Sequence, residues 1–134
     1  MRRGFSVNPK DAVPIWRQIE LGVMRLIGGG RLRPGAAIPS VRDMARDLGV
    51  NPMTVAKAYQ KLAEAGLVDS RRGEGTFVAE FPAVVDPAQR TKILREEAER
   101  FAAVAATLGA KQAEGLAAVR AAFERIRNRT RGSQ

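Results

Sequence analysis

GVNPMTVAKAYQKL, residues 49–62, decides how this chain folds. Gly49 is suited to close a preceding helix, since glycine accepts the left-handed conformation found at many helix ends. Asn51 is a capping residue, and Pro52 fits the first helical position, where an amide hydrogen has no partner anyway. Val55, Ala58, Tyr59 and Leu62 then recur at helical spacing and give one buried stripe. Two helices therefore meet across Gly49-Val50-Asn51, with Val50 as an apolar plug in the turn. The outer end of the second helix carries Pro52, Met53 and Thr54, which no packing argument requires.

Upstream, Ser40 opens the helix that Gly49 closes. Ser40 and Asp43 form a capping-box pattern, with Asp in place of the usual Glu or Gln. Val41, Met44, Ala45 and Leu48 face inward. Pro34-Gly35 and Pro39 mark turns before it. A further helix starts at Pro14, where Ile15, Ile19, Val23 and Ile27 fall four apart with Trp16 and Leu26 beside them. Gly28-Gly29-Gly30 ends that helix. Residues 1–12 are polar and loosely held, with Phe5 and Val7 as the side chains that can pack.

Downstream, Ala65-Gly66 ends the helix of the opening stretch. Leu67-Val68 and Thr76-Phe77-Val78 flank DSRRGEG, residues 69–75, and read as a β-hairpin. Residues 14–80 thus run helix, helix, sharp turn, helix, hairpin. That order is a helix-turn-helix with a wing, and it predicts a mainly α chain with one small hairpin.

Composition shifts at Phe81-Pro82, and 81–86 reads as a linker between a winged helix at 1–80 and a helical region at 87–134. Asp86-Pro87 starts a helix with Leu94, Phe101, Val104 and Leu108 on one stripe. A last helix carries Leu116, Val119, Phe123 and Ile126. Both stripes are narrow, as in coiled coils. They predict an antiparallel two-helix hairpin that buries too little area to stand alone. A second copy of the same hairpin would complete a two-fold four-helix arrangement; the alternative is packing against the chain's own winged helix. The abundant alanines of this region leave little room for a cleft of about 300 Å³, the lower size of small-molecule sites. The tail, ERIRNRTRGSQ, is expected to fray.

The 134 residues carry 23 Lys+Arg against 14 Asp+Glu, a net +9, which favours a polyanionic partner. There is no Cys and no His, so disulfides, thiolate metal sites and the usual general base are excluded. Glu96, Glu97 and Glu99 sit among Arg95 and Arg100 as on a solvated helix face, and neither a P-loop nor a zinc-protease motif is present. The sequence predicts no enzyme, no metal and no cofactor. It has no signal peptide and no apolar run long enough to span a bilayer, so a cytoplasmic, soluble protein is expected.

PIWRQI (14–19), LRPGAAIPSVRDMARDLGV (32–50), NPMTVAKAYQKL (51–62), AGLV (65–68) and RRGEGTFV (71–78) together resemble the DNA-binding domain of GntR-family transcription regulators. The short two-helix region after the wing looks like the YtrA subfamily. The resemblance implies a homodimer on a palindromic operator, usually a repressor, with an ABC-transporter operon as the common target. It implies double-stranded DNA contacts from Ser40 and Arg42, from Asn51, Met53, Thr54 and Lys57, and from the wing residues Arg71, Arg72, Gly75 and Thr76. Met53 stands where similar sequences often carry Asn or Arg, and it offers only apolar contact, such as with a thymine methyl. Two readings remain for Asn51, a cap alone or a cap that also touches DNA. Two remain for Tyr59, a core residue or a phosphate contact through its hydroxyl. The dimer would be made by the eight stripe residues Leu94 to Ile126. The competing functional readings are a winged-helix protein adaptor, since fold alone does not fix function, and a non-specific DNA-binding protein.

Overall fold

The computed structural model describes residues 4–80 and 86–132. Its elements are α1 (Ile15–Gly28), β1 (Ala37–Ile38), α2 (Val41–Leu48), α3 (Pro52–Glu64), β2 (Val68–Arg71), β3 (Gly75–Val78), α4 (Pro87–Thr107) and α5 (Gln112–Gly132). The chain divides into two units, Met1–Val84 and Val85–Gln134. The linker expected over 81–86 lies, apart from Asp86, outside the described residues.

In the first unit, α1 and α2 both pack on α3. Ile19 and Val23 of α1, Met44 of α2, Val55 and Leu62 of α3, and Val68 and Val78 of the sheet are fully buried together. The sheet has three strands rather than the two of the expected hairpin. Its order is β1-β3-β2, all antiparallel, with Ile38 opposite Thr76 and Arg71 opposite Gly75. The extra strand is only Ala37–Ile38, drawn from a segment that the sequence marks as turns. Ile38 is buried and Ala37 exposed, so even two residues keep the strand alternation.

The N-terminal segment is tied down as well. Gln18 donates through Nε2 to the carbonyls of Asn8 and Val13, and its Oε1 accepts from the Asn8 amide at 2.7 Å. Phe5 and Val7 pack against the core. A Cβ on Gly22 would stand 2.6 Å from the Phe5 ring. In an unobstructed helix, Gly to Ala stabilises by about 1 kcal/mol. Here overpacking, at about 1–3 kcal/mol, outweighs that gain. Gly22→Ala is therefore expected to lower the urea midpoint, and to raise it instead in a Phe5→Ala background, where the obstruction is gone.

In the second unit, α4 and α5 join through a turn at Gly109, φ 76°. They meet where Phe101 lies 3.6 Å from the Cβ position of Gly115, and pack on each other little beyond that. No residue of either helix is buried. Leu94, Phe101, Val104, Leu108, Leu116 and Phe123 are all exposed, Leu108 by 79% and Phe123 by 69%. Val119 and Ile126 are half-buried. The tail does not fray over its described length: α5 runs on to Gly132. Arginine is a good helix former, and Arg129 and Arg131 in the last turn complement the negative end of the helix dipole.

Candidate nucleic-acid interface

The step from α2 to α3 is closed by backbone hydrogen bonds. The Gly49 amide donates to the Arg46 carbonyl and the Val50 amide to the Ala45 carbonyl, with Gly49 left-handed at φ 69°. This paired closure is the Schellman arrangement, and it reverses the chain with the Ala45 and Arg46 carbonyls satisfied. Val50 packs on the core just beyond it. At the start of α3, Asn51 Oδ1 accepts from the Met53 amide at 2.8 Å. The cap thus occupies one side-chain oxygen and leaves the Asn51 NH2 group outside it. Met53 follows at 77% exposure, and Thr54 is half-buried. The helical repeat sets Met53, Lys57 and Gln60 opposite the buried stripe, and all three are exposed.

At the start of α2, Ser40 Oγ accepts from the Asp43 amide at 3.0 Å. The capping box closes on this side only, because the Asp43 carboxylate turns to Arg46 at 2.7 Å. Arg42 stays exposed beside the open end of the helix, with Asp43 committed elsewhere.

The wing turns at Arg71–Glu74, where the Glu74 amide donates to the Arg71 carbonyl. Gly73 and Gly75 have φ of 79° and 119°, conformations that a side chain would strain. Arg71, Arg72 and Gly75 are exposed; Thr76 is half-buried.

Strand register links these parts. Because Ala37 faces Phe77 and Ile38 faces Thr76, the chain leaving β1 heads toward the wing tip as it reaches Ser40. Tyr59 then fixes α3 to the same place: its hydroxyl donates to the Pro39 carbonyl at 2.7 Å. The first turn of α2, the side of α3 and the wing are thereby held in one neighbourhood.

Tyr59 itself is placed differently from the other expected contacts. Its ring is buried and its hydroxyl proton is spent on Pro39. Burial, with the Asp43 charge adding to it, pushes the phenol far above its ordinary range, so it stays neutral. This bond ties α3 to the approach to α2. Tyr59→Phe is expected to cost about 1 kcal/mol in denaturant unfolding with an unchanged slope.

Two features of the neighbourhood escaped the sequence reading. Lys57 Nζ lies 4.5 Å from the centroid of the Trp16 ring on α1. The Arg71 guanidinium lies 4.4 Å from the Phe77 ring. The first depends on how α1 and α3 cross and has no local signal; the second is a diagonal pair across the β2–β3 hairpin, set by its register. Among the described residues there is no His/Cys/Asp/Glu group able to hold a metal, and no helix long and apolar enough to cross a membrane.

A capped helix end presented after a tight turn, a second helix N-terminus and a wing carrying Arg71 and Arg72 define a winged helix-turn-helix domain. Comparison with known proteins agrees. The family model for bacterial regulatory proteins, gntR family, matches residues 16–78. An uncharacterized HTH-type transcriptional regulator of Bacillus subtilis, YhcF, is 36% identical over 83% of this chain and 91% of its own. The HTH-type transcriptional repressor YtrA of the same organism is 38% identical over 57% of this chain and 58% of its own. The AraR DNA-binding domain, solved in complex with operator ORX1, aligns at 30% identity and a TM-score of 0.51, over 56% of this chain and 93% of that one. The chain belongs to the GntR family, and it is a DNA-binding transcriptional regulator with YtrA-like relatives.

Proposed function

We propose that this chain is a homodimeric repressor that reads a palindromic operator with the end of α3, anchors on phosphate through the start of α2, and follows the minor groove with its wing. The observation that carries the reading is Met53 at 77% exposure on the outer face of α3, with Lys57 one turn on and with Arg42, Arg71 and Arg72 exposed on α2 and the wing. A large apolar side chain held in solvent on a helix face that also carries a cation suits a base edge flanked by phosphates. In this scheme Thr54 hydrogen-bonds a base or phosphate, Ser40 and Arg42 take backbone phosphate, and the Gly75-Thr76 backbone approaches the groove floor. The Asn51 NH2 group is positioned to contact DNA as well as cap.

The dimer half of the proposal draws support from α4 and α5, whose apolar stripes remain largely exposed within their own unit. The repressor sign is supported by the name of YtrA, and an ABC-transporter operon is the target that the subfamily resemblance suggests. The cytoplasm is the corresponding compartment.

Selection of binding sites from a random duplex pool, with full-length protein near physiological salt, tests this reading. A palindrome with half-sites about one helical turn apart is the expected outcome. Thr54→Ala should then weaken binding most at one base position of each half-site. Recovery of no motif, with binding lost as salt rises, would replace the reading with non-specific charge or an adaptor role.

A further inference from the structure

Lys57 is exposed, yet its ammonium is not loose. It rests on the ring of Trp16, which is half-buried and packed against the core. Arg71 rests in the same way on Phe77 at the base of the wing. Two cations of the interface thus lie on aromatic faces that the fold holds in place, one from α1 and one from β3.

We propose that Trp16 is a positioning residue for DNA binding: its ring fixes the Lys57 ammonium along the outer face of α3, so that a phosphate meets a cation already ordered. This rests on α3 being the helix that enters the groove. A lysine side chain loses considerable rotamer freedom when it grips a phosphate. A ring that has already restricted it reduces that loss. Tryptophan offers the strongest ring face for a cation. The ring covers one side of the ammonium, which carries three donors, so donors remain for phosphate oxygens. The Arg71–Phe77 pair repeats this chemistry on a separate element, which makes the arrangement a property of the interface rather than of one side chain.

The test uses the full-length protein on its selected operator, with Trp16→Leu, Trp16→Phe, Lys57→Met and the Trp16→Leu/Lys57→Met double variant. Trp16→Leu is expected to weaken binding by about two- to five-fold, and Trp16→Phe to regain most of that. Lys57→Met should lower the salt slope by about one. With Met at position 57, losing the Trp16 ring should cost nothing more. The inference is overturned if Trp16→Leu costs the same factor in both backgrounds, or if it tightens binding, which would mean that the ring withholds Lys57. Trp16 is the single tryptophan, so its emission in the DNA-free protein provides a second readout that does not need a Trp16 variant to fold. Lys57→Met should change that emission, and identical spectra would show the pair does not form. Failure to select any operator would sink the functional reading while leaving the emission result intact. Full operator affinity in a folded Trp16→Leu variant would sink only this inference.

Discussion

A chain carrying both Leu116→Asp and Phe123→Asp should sediment at the mass of one protomer and bind its operator about 100- to 10,000-fold more weakly than the parent. The reasoning begins with two apolar side chains on one stripe of α5, 58% and 69% exposed within the single chain. Burying each against a second copy contributes roughly 1.5–3 kcal/mol, and a buried carboxylate reverses the sign. Neither residue belongs to the winged-helix unit, which has its own core. That unit should therefore stay folded and keep its far weaker half-site affinity. The large factor comes from avidity: two tethered heads bind as one event, and the gain disappears when the tether is cut. Analytical ultracentrifugation and a titration on one operator duplex decide the matter. A variant that remains dimeric would place the interface away from this stripe.

Arg42→Ala should weaken operator binding by roughly 10- to 100-fold and reduce the salt slope by about one. Its matched control lies one turn on. Arg46 is also an exposed arginine of α2, but it is engaged with Asp43 at 2.7 Å, away from the open end of the helix. An exposed pair of that kind contributes little to stability. Arg46→Ala should therefore leave affinity within about two-fold, by the usual size of surface substitutions. The contrast isolates position from charge, since both variants remove one positive charge from the same helix. Equal losses would mean that net charge alone drives binding.

The elements of the interface differ in how legible they are in the sequence. The helix-turn-helix was legible because its signals are local: Asn51 and Pro52 start α3, Gly49 closes α2, and Ser40 caps it. The strand β1 was not, because two residues between Gly35 and Pro39 carry no period, and their partner Thr76 lies far along the chain. Tyr59 shared its spacing with the core and its hydroxyl with the contacts, and its bond to the Pro39 carbonyl, twenty residues away, has no local signal. The Asp43 pattern promised a reciprocal cap, and the competing Arg46 a turn later takes the carboxylate instead. The tail's alternating arginines read as disorder to composition, whereas helix propensity and the terminal dipole keep them in α5.

The sheet's outer strands have a further consequence. β1 is two residues long and runs straight into Pro39, which has no amide hydrogen to offer. β2 shows solvent Asp69, Ser70 and Arg71 along its length. Short strands, a proline and charged side chains all discourage another chain from adding to an open edge. A hairpin that reaches into solvent would otherwise invite aggregation at the concentrations where a protein is synthesised. The exposed turn of the wing can reach into solvent while its strands, anchored by Val68 and Val78, offer little edge for strand-to-strand assembly.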